Sequence, residues 1–283
     1  MPYIKTQDDV SLFYKDWCTE SRGTADAAAG STVVFIHGWP VNADMWEYQM
    51  APLARQGLRC IAYDRRGFGR SDQPSGGYDY DTLADDLKAL LDGLDLQGVT
   101  LVGFSMGGGE IARYLSRHGA ARIAKAVLVA SVVPMLLKTA DHPDGADHSV
   151  FDQMVSGLEA DRPHFLTTFA KHFYGVGLLT SPVSSEVLDW SQWMALQASP
   201  IATVDCVRAF SETDFRPDLA AFTIPTLVIH GDADVTVPAG IAGKTAAAGI
   251  EGSIYKEYAG APHGLFMTEK DRLTKDLLEF IRG

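Results

Sequence analysis

The stretch of this sequence richest in chemistry is Gly103-Phe104-Ser105-Met106-Gly107, a G-x-S-x-G pattern between the apolar run Val99–Val102 and a helix-forming segment. A turn from strand straight into helix strains the backbone at the serine, so the residues two before and two after must be almost free of side chain. The hydroxyl is then exposed at a helix N-terminus, where backbone N–H groups face a developing negative charge. A serine hydroxyl attacks a carbonyl poorly at neutral pH. It needs a base, and the base needs a carboxylate to orient it.

On this kind of turn the chain order is serine, acid, histidine. Of the eight histidines, only His263 follows Ser105 in a late loop after a strand, Ala261-Pro262-His263-Gly264. His37 precedes the serine, and His230 ends a strand ahead of the acid; both read as structural histidines in strand-end turns. The acid lies in the stretch from Ile229 to Pro238, which offers Asp232, suited to bonding within the turn, and Asp234, further out towards His263. Residue chemistry favours Asp234 without deciding. An oxyanion needs two N–H donors. Met106, directly after the nucleophile, supplies one; in His37-Gly38-Trp39-Pro40 the candidate is Trp39, since Pro40 has no N–H to give.

Elements able to hold these residues can be read around them. Val33–Ile36, Arg59–Tyr63, Val99–Val102, Ala126–Ala130, Thr226–Ile229 and Ile254–Tyr258 are short β-rich runs of the kind buried on both faces in a parallel sheet. Helical patterns fall between them. Leu83, Leu87, Leu90, Leu91 and Leu94 recur on one face of 80–94, opposite Asp85, Asp86, Lys88 and Asp92. A second helix begins near Met106 and closes at Ser116-Arg117-His118-Gly119, and a last one runs from about Asp271 to Ile281. The alternation predicts an α/β fold with a mostly parallel central sheet flanked by helices. It fails from Pro134 to Pro217, where Phe151, Phe165, Phe169, Phe173, Trp190 and Trp193 sit on helix-like segments. The expected organisation is a core of 1–133 and 218–283 with a helical lid, 134–217, over the carboxyl ends of the strands, where open α/β sheets bind ligands. The aromatic stripe serves equally well as plain core and as cavity wall.

The bulk numbers bound the rest. A chain of 283 residues, 46% hydrophobic and 21% charged, can bury a substantial core without metal or disulfide support. Its net charge of −12 disfavours nucleic acid and anionic membranes as partners. Cys18, Cys60 and Cys206 are odd in number and far apart, which fits a reducing, cytoplasmic location better than a disulfide framework or zinc site. No signal peptide is apparent at the N-terminus, and the run 126–137 is too short to span a bilayer, which takes about 20 apolar residues. The small, polar stretch Thr19–Thr32 reads as a flexible surface loop.

Several longer segments, HGWP (37–40), NADMWEYQM (42–50), DRRGFGRSDQP (64–74), GFSMGGGEIARY (103–114), SETDF (211–215), VIHGDAD (228–234) and GAPHG (260–264), together resemble the cofactor-free bacterial haloperoxidases and aryl esterases, also called perhydrolases. The resemblance covers nearly the whole chain and implies the α/β-hydrolase fold. By it, Ser105, Asp234 and His263 form a catalytic triad, and Trp39 and Met106 supply the oxyanion N–H groups. It further implies hydrolysis of aryl or short-chain esters and perhydrolysis, in which hydrogen peroxide takes the acyl group, with neither cofactor nor metal. The expected partners are a small uncharged ester and hydrogen peroxide, and homo-oligomerisation is left open. The substrate cavity is expected to be apolar, lined by Trp39, Pro40, Phe104, Met135, Phe151, Phe165, Phe169 and Val237. Pro40 reads either as a rigid turn or as the residue that tilts the Trp39 carbonyl towards the peroxide.

Other readings compete. The same triad would serve an amidase or lactamase, and a receptor reusing the fold would not need it intact. A dehalogenase would need an aspartate where Ser105 stands. Asp141-His-Pro-Asp-Gly-Ala-Asp-His148 has residues that bind metals but no standard ligand spacing, and reads as a solvated lid loop. The glycines at 67 and 69 lack the further glycine or lysine of a phosphate loop, so Arg65, Arg66 and Arg70 are expected to brace loops through salt bridges.

Overall fold

The computed structural model describes residues 2–18 and 32–283, so the loop expected over 19–32 lies outside the described residues except for Thr32. Eight strands, β1 (Tyr3–Lys5), β2 (Ser11–Trp17), β3 (Thr32–Ile36), β4 (Arg59–Tyr63), β5 (Val99–Phe104), β6 (Ile123–Val129), β7 (Thr226–Gly231) and β8 (Ile254–Tyr258), form one sheet in the order β1-β2-β4-β3-β5-β6-β7-β8. β2 pairs antiparallel with β1 and β4; every other pairing is parallel. β3, β5 and β7 are buried along their whole length, as their unbroken Val/Ile/Leu runs require.

Two features depart from the sequence reading. β1 and β2 escape a search for apolar runs, because β2 carries polar residues and is mostly half-buried. Ile254–Tyr258, read as buried on both faces, is instead the edge strand: only Tyr258 is buried, and Ile254 is half exposed.

The helices follow in chain order as α1 (Glu47–Arg55), α2 (Tyr80–Gly93), α3 (Met106–His118), α4 (His148–Phe173), α5 (Ser185–Leu196), α6 (Pro200–Glu212), α7 (Gly243–Gly249), α8 (Leu265–Thr268) and α9 (Lys270–Arg282). Asp79 caps α2 by accepting from Thr82 N, and Leu83, Leu87, Leu90 and Leu91 are buried as the spacing predicts. α4, α5 and α6 are inserted between β6 and β7. α4 is broken at Asp161 (φ −156°, ψ 83°), whose carboxylate caps the second half by accepting from His164 N, with Pro163 in that segment's first turn.

The chain passes from β3 to β4 on one side and returns to place β5 on the other. That reversal opens a crevice at the carboxyl ends of β3 and β5, the usual ligand position in an open α/β sheet. His37–Pro40 leaves β3 at this point, and Ser105 leaves β5.

Candidate active site

Ser105 occupies the junction of β5 and α3 with φ 52° and ψ −117°, a conformation costly for a residue with a side chain. The close approach demands glycine: a Cβ on Gly107 would stand 2.6 Å from the Ile36 carbonyl oxygen, and one on Gly38 would reach 3.1 Å from Ser105 Cβ. The loop after β3 is therefore pressed against the nucleophile. Met106 opens α3, so its N–H has no acceptor within the helix.

His263 Nε2 lies 3.0 Å from Ser105 Oγ, and its Nδ1 lies 2.6 Å from Asp234 Oδ2. With Nδ1–H donating to the carboxylate, Nε2 keeps its lone pair for the serine hydroxyl. The imidazole is clamped by the rings of Phe104 and Phe173, centroids 4.9 and 5.0 Å away, and Gly264 N donates to Phe173 O at 2.7 Å. Asp234 Oδ1 accepts from the N–H groups of Thr236 and Val237. Burial alone would raise the Asp234 carboxyl, but the charges and hydrogen bonds of His263 and His230 outweigh it and hold the group far below the usual carboxylate range. All three side chains are buried. Asp232 turns elsewhere, accepting from Gly260 N in the loop that carries His263.

The loop bearing Trp39 is fixed from below. Arg65 N donates to His37 Nε2 at 2.9 Å and Arg65 Nη2 donates to His37 O at 2.6 Å, while the guanidinium pairs with Glu110 on α3 and Tyr63 Oη donates to the same carboxylate. Burial and the adjacent Arg65 push His37 well below its ordinary range, so it stands neutral. A buried ion pair thus ties the loop after β3 to α3, the helix that follows the serine. Arg66 pairs with Asp8 and Asp86, and Arg70 with Asp44 and Asp64, so all three arginines brace loops as their setting suggests. Trp39 Nε1 donates to Thr203 O on α6, fastening the loop to the inserted helices.

Ser105 and His263 open on a cavity of about 330 Å³. Of the expected wall residues, Trp39, Phe151, Phe169 and Val237 line it. Four do not. Phe104 lies beneath, against His263; Met135 is buried and cedes its place to Leu136; Phe165 stacks on Phe169; and Pro40 borders a separate, smaller apolar recess. Trp193 points to solvent. The wall residues missed by the sequence reading include Val132, Leu136, Met154, Phe210 and Ile241, with Asp144 on the loop 137–147. Met154 comes from α4 and Phe210 from α6, while Val132 and Leu136 follow β6 and Ile241 precedes α7; tertiary packing gathers them, and no local motif marks them. Val235, Thr236 and Pro238 also line the cavity, and their adjacency to Asp234 is a signal that could have found them.

His230 is structural, as its strand-end position suggests, but it acts on the triad's acid. It is buried, donates from Nε2 to Val237 O at 2.8 Å, and sits 3.3 Å from Asp234 Oδ2, so it pins the acid's loop from behind. The segment 141–148 holds no group of three or more potential metal ligands among the described residues; Asp147 caps α4 and Asp141 pairs with Arg216. No helix among the described residues is long and apolar enough to cross a membrane.

Comparison with known proteins points the same way as this geometry. Residues 31–270 match the alpha/beta hydrolase fold family. Over 99% of both chains the sequence is 43% identical to the non-heme chloroperoxidase CPO-A1 of Kitasatospora aureofaciens. It is 40% identical, over the full length of both, to the bifunctional esterase/perhydrolase DCH of Acinetobacter calcoaceticus. Among solved structures, the bromoperoxidase of Bacillus anthracis superposes with a TM-score of 0.92 at 45% identity, covering 99% of each chain.

Proposed function

Since the chain belongs to the α/β-hydrolase fold family, we propose that it is a serine ester hydrolase with perhydrolase activity, acting through an acyl-enzyme on Ser105. The observation that carries this reading is the continuous line from Asp234 through His263 to Ser105, with hydrogen bonds of 2.6 and 3.0 Å.

In this mechanism His263 Nε2 takes the Ser105 proton as Oγ attacks the ester carbonyl, and Asp234 holds the tautomer and stabilises the imidazolium. The N–H groups of Met106 and Trp39 receive the oxyanion; one such donor is worth about 3 kcal/mol in the transition state. The alcohol leaves with the proton from His263. Water, or hydrogen peroxide where present, then gives its proton to His263 and attacks the acyl carbon; the acyl–Oγ bond breaks as His263 returns the proton to Ser105, releasing a carboxylic acid or a peracid. The 134–217 segment acts as a cap whose apolar residues, with those of the acid loop, shape the cavity for uncharged acyl groups. The relatives named for chloroperoxidase and esterase/perhydrolase activities support both outcomes.

The test is a short-chain aryl ester assay with and without peroxide, beside stoichiometric labelling by a fluorophosphonate. The wild type should hydrolyse the ester, form peracid when peroxide is added, and carry one label, on Ser105. Ser105→Ala should lose the label and at least about 10⁴-fold in kcat. Turnover that survives the substitution would refute the proposal.

A further inference from the structure

Among the described residues lining the cavity, Asp144 is the one with a carboxylate side chain, and no lysine or arginine lines it. Its setting differs from that of the carboxylates around it. Asp141 pairs with Arg216, Asp147 caps α4 while Lys138 lies close enough to act on its charge, and Asp152 is engaged by His148 and Arg208. Asp144 has no hydrogen bond or ion pair among the described residues, and it is exposed, so it stands where the cavity meets solvent. An unpaired carboxylate beside an apolar space lowers the potential felt by whatever part of a substrate projects to the opening, and low-dielectric walls focus that field.

We propose that Asp144 makes this cavity select by charge, admitting esters whose leaving alcohol is neutral or cationic and turning away those whose alcohol carries a carboxylate. The inference rests on the ester-hydrolase reading above. In that mechanism the alcohol departs first and by the mouth, which places its distal end near Asp144. The same field favours departure of the carboxylate product once the acyl-enzyme is resolved.

Three phenyl acetates, para-substituted with acetyl (neutral), trimethylammonio or carboxylate, test this, each rate divided by its own rate with hydroxide to remove leaving-group effects. In the wild type at low salt, the normalised kcat/KM for the ammonium ester should exceed that for the carboxylate ester about fivefold or more. The ratio should fall towards one in Asp144→Asn, and in the wild type as potassium chloride is raised. A ratio that is near one in the wild type, or that persists in Asp144→Asn, overturns the charge assignment. Turnover of the neutral ester by the wild type separates the two claims: if it is absent, the ester-hydrolase reading itself has failed.

Discussion

At the scale of single residues the site depends on which nitrogen of each histidine carries a proton. Asp234 is held ionised far below the usual carboxylate range, so it adds no limb of its own to the pH profile near neutrality. The pH profile of kcat/KM for a neutral ester should therefore show no limb that belongs to this carboxylate. Asp234→Asn would present an amide to Nδ1, favour the wrong tautomer, and lower kcat by about 10³- to 10⁴-fold; a pH–rate series on wild type and variant checks both points. Whereas the choice of Asp234 over Asp232 needed the family resemblance, Ser105 and His263 were legible in the sequence because each sits on a short turn with its own signature. His230 was not, since its contact with Asp234 arises only when the loop folds back over four residues.

At the scale of elements, the sheet carries the chemistry and α4 and α6 supply much of the cavity's wall. Phe169 on α4 borders both the main cavity and the smaller recess behind Pro40, and its ring packs edge-on against Trp39 at 5.1 Å. Phe169→Ala should join the two spaces and move the preference towards longer acyl chains, with kcat/KM for a hexanoate rising relative to an acetate. An unchanged chain-length profile in an aryl-ester series would show that this ring is no partition. The buried strands were readable as short unbroken apolar runs, α2 from its regular leucine spacing, and α3 from the serine turn that opens it and the glycine that closes it. β2 lacked an apolar run, β8 had one yet lies at the edge, and the cavity walls are chosen by the break at Asp161 and by packing between helices, which no local pattern encodes.

At the scale of the whole molecule, charge sets the response to acid. Asp8 is drawn down to about 2 by its bond to Arg66, and Asp72 is lowered by the Ser11 N–H. Such groups take up protons less readily folded than unfolded, so their support is present above about pH 4 and is lost as pH falls below it. Asp86 runs the other way: burial pushes it up to about 6 despite Arg66, so protonation between about pH 6 and 4 favours the folded state. Net charge also shrinks towards the pI near 5.0, easing self-repulsion. Buried His37, held neutral in the fold, runs against both, since only the unfolded chain takes up its proton as pH falls below about 6.5. Tm should accordingly hold or decline modestly from pH 7 to about 5 and drop below 4, which a thermal melt series in matched ionic strength will show. Two of the hydrogen bonds that fasten the inserted helices to the core, Trp39 Nε1 on Thr203 O and Gly264 N on Phe173 O, end on main-chain carbonyls. Any amino acid carries such an oxygen. At Thr203 the roof can thus change its side chain without letting go of the loop that faces the nucleophile, whereas Phe173 is held to its identity by the ring it lays on the base.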